Sequence, residues 1–197
     1  MRKQRDGWTG LESKNYRKAF LGFLMSQGAE RKTKMNQVFR ALEENDIEEF
    51  HRFLTAAYAE DLQYGIYFKA AFATITDITT HLVNNLCYVM EQDGIIISSC
   101  SMRMPWGPNP GPEIFPHLGW VSTRPEYKHQ GFGSKMLDWV EQEILIKQMK
   151  APAVTLGTAE EHPWLIRMYE KRGYVAFEKR RLHEDHITVY MKKILRP

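Results

Sequence analysis

Two closely spaced glycines, Gly131 and Gly133, lie where the sequence changes from a strand pattern to a helical pattern, and they limit the fold more than any other feature. Upstream, residues 117–123 (HLGWVST) are typical of a strand. Downstream, residues 133–149 repeat apolar side chains at helical spacing. Small residues at the start of a helix allow a sharp backbone turn or the close approach of another molecule. The stretch therefore predicts a strand–loop–helix unit whose loop either turns tightly or binds something.

The glycine loop does not match the common nucleotide-binding signatures. A dinucleotide-binding loop requires a third glycine at position 136, which is Met136, and the Gly-Lys-Ser/Thr of a P-loop is also missing. What remains is a helix N-terminus with unpaired backbone N–H groups, and such a site favours an anion. Lys128 and His129 would add positive charge or hydrogen-bond donors next to it. Two interpretations stay open at this point, an anion-binding loop and a plain tight turn into a helix.

Apolar periodicity along the rest of the chain predicts a mixed α/β fold without internal repeats. The expected elements are a strand (35–42), two helices (44–62 and 65–83), two strands around an Asp-Gly turn (86–104), a strand (117–123), a helix (133–149), a strand (153–158), a short helix (163–173) and a final strand hairpin (174–181 and 186–195). A Pro/Gly-rich loop covers residues 105–116. This order predicts a mixed sheet with helices on its faces.

Length and charge indicate one ordinary globular domain that follows a basic segment. The chain has 197 residues, enough for a sizeable core. Residues 1–34 carry nine Lys or Arg against three Asp or Glu, whereas residues 35–90 carry three against eight. We therefore divide the chain into a basic, partly helical N-terminal extension (1–34), with a helix near 15–27, and a folded domain (35–197).

The sequence also limits compartment and partners. No run is long enough to cross a membrane, so we expect no membrane contact. Cys87 and Cys100 show neither metal spacing nor a disulfide framework, which favours free core thiols and a cytoplasmic location. The net charge of +3 does not demand a polyanion, so nucleic acid is not the expected partner. Homodimerisation is left open.

Two segments of the domain resemble motifs of the GCN5-related N-acetyltransferase (GNAT) family. Residues 122–137 (STRPEYKHQGFGSKML) resemble motif A, in which a strand and a Q/R-x-x-G-x-G/A loop lead into a helix. Residues 162–174 (HPWLIRMYEKRGY) resemble the family's N-x-x-A-x-x-L-Y-E-K-x-G-F segment. Their separation also fits, and the resemblance covers about residues 35–197. It implies the GNAT fold, a mixed, mostly antiparallel, twisted sheet of six to seven strands with helices on both faces.

The resemblance implies acetyl-CoA as the acetyl donor, held by the glycine loop at its pyrophosphate and by the preceding strand at its pantetheine arm. The implied cofactor-binding residues are Val121, Ser122, Thr123, Lys128, His129, Gln130, Gly131, Phe132, Gly133, Ser134 and His162. Three of them depart from the family pattern, because Lys128 replaces Arg or Gln, His162 replaces Asn and Thr123 replaces an aliphatic residue. A lysine keeps a charge for the phosphate but loses the planar fork of arginine.

The resemblance also indicates candidate catalytic residues. Tyr169 matches the family's tyrosine, whose hydroxyl often protonates the leaving thiolate, although an aromatic core residue would look the same. His117 reaches a strand position where some members carry a base, and histidine titrates near neutral pH, but a structural histidine is the alternative. Glu113, in the loop before it, is the next candidate for the base. No metal is expected, because the histidines lack metal spacing, and His183 and His186 are expected in a solvated turn.

The acceptor is the part of the function that the sequence limits least. Trp106 and Phe115 are expected to wall a pocket, and Glu113 or the acidic helix start at 43–49 to attract a cation. A rigid loop and a solvated helix face are the alternative. We expect direct acetyl transfer to an amine, first a small cationic amine and second a peptide acceptor, either a protein N-terminus or a lysine. A non-catalytic acyl-CoA sensor and an acetyltransferase for charged tRNA stay open as other classes.

Overall fold

The computed structural model describes residues 36–182 and 186–195. The basic extension at 1–34, its expected helix and His183 therefore lie outside the described residues. In the described part, seven strands and four α-helices follow the expected order. The strands are β1 (Gln37–Ala41), β2 (Leu86–Gln92), β3 (Ile95–Arg103), β4 (His117–Thr123), β5 (Ala153–Ala159), β6 (Val175–Arg180) and β7 (Thr188–Ile194). The helices are α1 (Ile47–Tyr58), α2 (Ile75–Asn84), α3 (Phe132–Trp139), which continues as a π-helix (Val140–Gln148), and α4 (Pro163–Lys171).

The seven strands form one sheet in the order β1-β2-β3-β4-β5-β7-β6. β4 and β5 are parallel, and every other neighbouring pair in this sheet is antiparallel. The predicted mixed, mostly antiparallel sheet is thus confirmed. The β2–β3 hairpin turns at Asp93 and Gly94, whose φ angles of +52° and +83° are those that a tight Asp-Gly hairpin turn requires.

Helices cover both faces of the sheet, because neighbouring strand residues point to opposite sides. On β2, Val89 belongs to an apolar cluster that includes Phe50 of α1. The next residue, Met90, belongs to a second cluster that includes Met136 of α3. Residues of β3 divide between the two clusters in the same way. The prediction of helices on both faces is therefore confirmed.

The single helix predicted over residues 65–83 is wrong in its first half. A short 3-10 segment, Lys69–Phe72, precedes an extended break, and α2 begins only after Thr74. The Thr74 hydroxyl accepts a hydrogen bond from the backbone N–H of Asp77 (3.1 Å), and the Asp77 carboxylate accepts one from the Thr74 N–H (2.8 Å). Because this capping box satisfies backbone groups that a helix start leaves unpaired, the helix begins there.

β4 and β5 run side by side over two residue pairs and then separate. His117 pairs with Thr155 and Leu118 with Leu156, and no further pair between these strands follows in the described chain. β4 stays paired with β3, and β5 with β7, along their remaining length. The sheet therefore opens in its middle, at the carboxyl ends of the two parallel strands.

Buried serines on β3 hold β4 in the bulged shape that directs it away from β5. Trp120, in the middle of β4, has a φ of +45°, which is unusual for a non-glycine residue. The Ser99 hydroxyl donates a hydrogen bond to the carbonyl oxygen of Trp120 (2.8 Å), and the Ser98 hydroxyl donates one to the carbonyl oxygen of Ser122 (2.7 Å). These bonds explain why a buried strand carries consecutive serines.

Three further expectations concern membranes, metals and thiols. Within residues 36–182 and 186–195, no helix is long and apolar enough to cross a bilayer. In the same ranges, no group of three or more His, Cys, Asp or Glu side chains could hold a metal ion. Cys87 and Cys100 are free and buried, which confirms them as core thiols.

Candidate active site

The gap between β4 and β5 opens into a cavity of about 590 Å³. Its walls come from β4, the glycine loop with the start of α3, β5, α4 and the 3-10 segment that follows α1, Ala59–Tyr64. Most side chains predicted from the sequence line this cavity: His117, Val121, Ser122, Thr123, Lys128, His129, Gly131, Phe132, Gly133, Ser134, His162 and Tyr169. Among the predicted cofactor-binding residues the exception is Gln130, whose exposed side chain donates a hydrogen bond to the carbonyl oxygen of Glu126 (3.1 Å).

The glycine loop has a row of unpaired backbone N–H groups. Gly131 is the N-cap of α3, and its φ of +81° is a left-handed conformation that glycine adopts without strain. From residue 129 to residue 134 the N–H groups have no acceptor in the described chain, and the first helical bond runs from Lys135 N–H to Gly131 O (3.0 Å). Such donors at a helix N-terminus favour a phosphate, so the loop has the geometry that the anion-binding interpretation requires.

Two side-chain features of this loop also matter for a bound phosphate. The Lys128 ammonium forms an ion pair with the Glu60 carboxylate, and both side chains line the cavity. A phosphate would therefore compete with Glu60 for the lysine. A Cβ on Gly133 would lie 3.1 Å from the Thr123 hydroxyl oxygen, tighter than an ordinary contact. The missing side chain thus lets the first turn of α3 approach β4 closely.

Tyr169 combines a buried ring with an unused hydroxyl. The side chain is 5% exposed, lines the cavity and packs edge-on against Tyr174, with 5.7 Å between ring centroids. Its hydroxyl makes no hydrogen bond in the described chain, whereas the Tyr174 hydroxyl donates one to Glu141 (3.0 Å). Burial, with a smaller contribution from Cys100, raises the pKa of the Tyr169 phenol. The phenol therefore stays protonated at neutral pH and can act as a proton donor.

His117 is buried at the closed end of the gap. Its Nδ1 lies 2.9 Å from the Thr155 hydroxyl oxygen, so the two share a hydrogen bond. Burial, and to a smaller extent the positive charge of Arg103, lowers the pKa of His117 to about 3. The imidazole is neutral at pH 7 but binds a proton weakly. Gly111 covers the ring, since a Cβ at that position would lie 2.6 Å from the His117 Cβ.

His162 and Asp61 meet on the opposite wall. His162 is the N-cap residue of α4, is 1% exposed, and neither ring nitrogen has a hydrogen-bond partner in the described chain. Burial lowers its pKa. Asp61 Oδ1 lies 3.5 Å from His162 Nε2, a contact without hydrogen-bond geometry. Burial raises the pKa of Asp61 to about 6, close to the pH at which a general base works.

No motif in the sequence marks Asp61 or Arg103, although both line the cavity. In the sequence, Asp61 follows a helix that begins with several acidic residues, and Arg103 ends a strand before a loop. Neither position indicates a functional role. Only the tertiary structure brings these charges to the site.

The predicted acceptor loop does not reach the cavity. None of residues 105–116, all of which the structure describes, lines it. Trp106 is 79% exposed, and Glu113 forms an ion pair with Lys192 (3.0 Å) next to the Phe115 ring. The predictions that Trp106 and Phe115 wall the pocket and that Glu113 is the alternative base are therefore wrong. The expectation of a solvated His186 is also wrong, because that side chain is buried.

The family model for the acetyltransferase (GNAT) family matches residues 39–174, and this chain belongs to that family. The chain is 44% identical over 162 residues to S-(2-succino)cysteine N-acetyltransferase of Bacillus subtilis (strain 168), which covers 82% of this chain and 98% of that protein. It is 38% identical over 164 residues to S-alkylcysteine N-acetyltransferase of the same organism, covering 82% of this chain and 91% of that protein.

A solved structure shows the same fold. PaiA N-acetyltransferase from Thermoplasma acidophilum, in complex with coenzyme A, matches with a TM-score of 0.63 at 16% identity, covering 81% of this chain and 99% of that chain. Together with the family match and the two curated relatives, this likeness confirms the GNAT fold inferred from the motifs. The chain is an acetyl-CoA-dependent N-acetyltransferase, which moves an acetyl group from acetyl-CoA to an amine.

Proposed function

We propose that the acceptor is the α-amino group of a small S-substituted cysteine. The observation that carries this proposal is the 44% identity, over 98% of its length, to an enzyme named for S-(2-succino)cysteine. The second relative is named for S-alkylcysteine, so both names describe a cysteine whose sulfur bears a carbon substituent. The cavity of about 590 Å³ has the size of a small-molecule site, which suits a free amino acid.

The donor would lie along β4 with its diphosphate on the glycine loop. Backbone N–H groups of residues 129–134 would donate to phosphate oxygens, and Lys128 would add charge on leaving Glu60. Along β4, the lining residues Val121, Ser122 and Thr123 follow the gap, where backbone groups without a β5 partner are available to the pantetheine amides. The unpaired ring of His162 would donate to or accept from the pantetheine arm or the acceptor.

Transfer requires a neutral amine, a donor for the developing oxyanion and an acid for the leaving thiolate. A base takes one proton from the ammonium, and the freed nitrogen lone pair forms a C–N bond with the thioester carbonyl carbon. Backbone N–H groups of β4 would stabilise the negative oxygen. As the C–S bond breaks, the Tyr169 hydroxyl would give its proton to the sulfur, and the second proton that leaves the nitrogen would restore the hydroxyl. The position of this unpaired hydroxyl on the cavity wall supports the role.

Two groups are candidates for the base, and their pKa values differ enough to separate them. His117 has a pKa of about 3, which makes it a weak acceptor of the amine proton. Asp61 has a pKa of about 6 and lies across the cavity next to His162, which makes it the stronger candidate. A kcat/KM that falls below about pH 6, and no longer does so in Asp61→Asn, would assign the base to Asp61.

The test of the acceptor is acetyl-CoA turnover with competing amines. Thiol release would be measured with S-methylcysteine, S-carboxymethylcysteine, a polyamine, a lysine peptide and a peptide with a free N-terminus, and mass spectrometry would locate the acetyl group. We expect kcat/KM for the cysteine thioethers to exceed the others by about tenfold or more, with the acetyl group on the α-nitrogen. Faster turnover of the polyamine or of a peptide would overturn the proposed acceptor.

A further inference from the structure

Arg103, the last residue of β3, lines the cavity as a half-buried cation without a carboxylate partner in the described chain. The other lysine and arginine side chains that line the cavity differ from it in this respect. Lys128 and Glu60 neutralise each other, and Lys69, another lining cation, is exposed to solvent. The described chain therefore leaves on the cavity wall a positive charge that none of its ion pairs balances.

Burial makes this unpaired charge unfavourable in the free protein. Desolvation lowers the pKa of Arg103, although a guanidinium remains charged at neutral pH. The Arg103 charge also affects two histidines. After burial, it is the second cause of the lowered pKa values of His81 and His117. A partly buried cation of this kind is normally balanced by an anion, and no carboxylate of the described chain forms an ion pair with it.

The position of Arg103 separates it from the phosphate-binding end of the cavity. It pairs across strands with His117, whose own pairing with Thr155 marks the closed end of the gap. Directly opposite residues have their side chains on one face, with Cβ atoms about 5 Å apart. The glycine loop follows the other end of β4, roughly 20 Å away at the rise of a strand. The anion for Arg103 is therefore not the diphosphate of the donor.

We propose that Arg103 binds the carboxylate of the acceptor and so selects an amino acid over a simple amine. This inference rests on the proposed function, because a cysteine thioether carries a carboxylate next to the amine that is acetylated. A planar guanidinium can donate two parallel hydrogen bonds to a carboxylate, which fixes orientation as well as position. Acetyl transfer leaves that carboxylate unchanged, so the contact persists through the reaction. The carboxylate is either the α-carboxylate or one on the sulfur substituent.

The experiment compares the parent enzyme with Arg103→Met and Arg103→Lys on three acceptors. S-methylcysteine has only the α-carboxylate, S-methylcysteine amide has none, and S-carboxymethylcysteine amide has only the substituent carboxylate. For the parent we expect the acceptor that carries the bound carboxylate to have a kcat/KM about ten- to a hundredfold higher than that of S-methylcysteine amide. Arg103→Met should remove this preference, Arg103→Lys should restore part of it, and the KM for acetyl-CoA should not change. Lys69→Met, a cation on the same cavity, should keep the preference.

The outcomes separate this inference from the proposed function. If the parent acetylates cysteine thioethers but Arg103→Met lowers kcat/KM equally for acid and amide, the inference is overturned alone. If the parent acetylates none of the three acceptors, the proposed acceptor and this inference are overturned together. Thermal unfolding of Arg103→Met should be at or above the parental temperature, because no ion pair within the described chain is removed.

Discussion

Replacing Tyr169 with phenylalanine removes one oxygen atom and tests whether its hydroxyl protonates the leaving thiolate. That hydroxyl has no hydrogen-bond partner in the described chain, and the ring contact with Tyr174 does not need it. The free energy of unfolding should therefore stay within about 0.5 kcal/mol of the parent. General acid–base catalysis contributes about 10²–10⁴-fold, so kcat should fall by that factor, which corresponds to roughly 2.7–5.5 kcal/mol of activation free energy.

Tyr174→Phe is a matched control with the opposite expected outcome. The Tyr174 hydroxyl donates to Glu141, a buried carboxylate that also pairs with Arg172 (3.3 Å) and Lys193 (2.5 Å). A hydrogen bond to a charged group contributes about 1.5–3 kcal/mol, so this variant should lose that much stability. Because Tyr174 does not line the cavity, its kcat should stay near the parental value.

The assay for both variants combines single-turnover acetyl transfer with urea unfolding. Single-turnover rates report the chemical step even where product release limits kcat. We expect Tyr169→Phe to lose rate without stability and Tyr174→Phe to lose stability without rate. A parental single-turnover rate in Tyr169→Phe would refute the assignment of this hydroxyl as the acid.

Four further outcomes follow from the same structure. Gly131→Glu should weaken acetyl-CoA binding about tenfold or more, because it adds a negative charge at the phosphate loop and about 1–2 kcal/mol of strain at a φ of +81°. An affinity equal to that of the parent, measured by calorimetry, would exclude this loop as the phosphate site. Asp61→Asn should abolish the fall in kcat/KM below about pH 6, where the parental carboxylate takes up a proton; a fall that persists would exclude Asp61 as the base. Because the pKa of His117 is lowered to about 3, only the unfolded chain binds this proton as the pH drops below about 6.5, so the free energy of unfolding falls with pH. In urea titrations His117→Asn should lose about 1.6 kcal/mol less than the parent between pH 6.5 and pH 5, and an equal loss would contradict the lowered pKa. Gly111→Ala should destabilise the fold by about 1–3 kcal/mol, because its Cβ would lie 2.6 Å from that of His117. A thermal unfolding temperature equal to that of the parent would show that the loop moves freely.

Local backbone chemistry explains which parts of the fold are predictable from the sequence. The hairpin turn at Asp93 and Gly94 and the N-cap at Gly131 both depend on positive φ angles that few residue types adopt. The error over residues 65–83 is also local, because apolar spacing outweighed the Thr74-x-x-Asp77 pattern that marks a capping box. That signal was present in the sequence and would have placed the start of α2 correctly.

The features of the site that the sequence does not predict depend on contacts between distant parts of the chain. Glu113 reads as a free acid in a loop, but it pairs with Lys192, 79 residues later. Asp61 has an ordinary sequence context, and its pKa is raised mainly by burial next to His162, with a smaller contribution from the charge of Glu60. Residue types predict neither that burial nor the fact that Arg103 has no carboxylate partner in the described chain. The glycine loop is predictable because its backbone N–H donors belong to one continuous segment of the sequence.

The separation of β4 from β5 creates two strand edges inside the sheet rather than at its rim. In the described chain, Gly119, Ser122 and Thr123 pair with β3 but not with β5, and residues 157–159 pair with β7 but not with β4. Unpaired strand edges at the rim of a sheet ordinarily attract other chains and promote aggregation, but these two face each other across the cavity. An extended molecule with amide groups can enter, and it would supply hydrogen bonds that the polypeptide leaves unmade. Since such a molecule binds only the folded state, the substrate would also act as a temporary part of the fold, which is most stable during catalysis and least complete between turnovers.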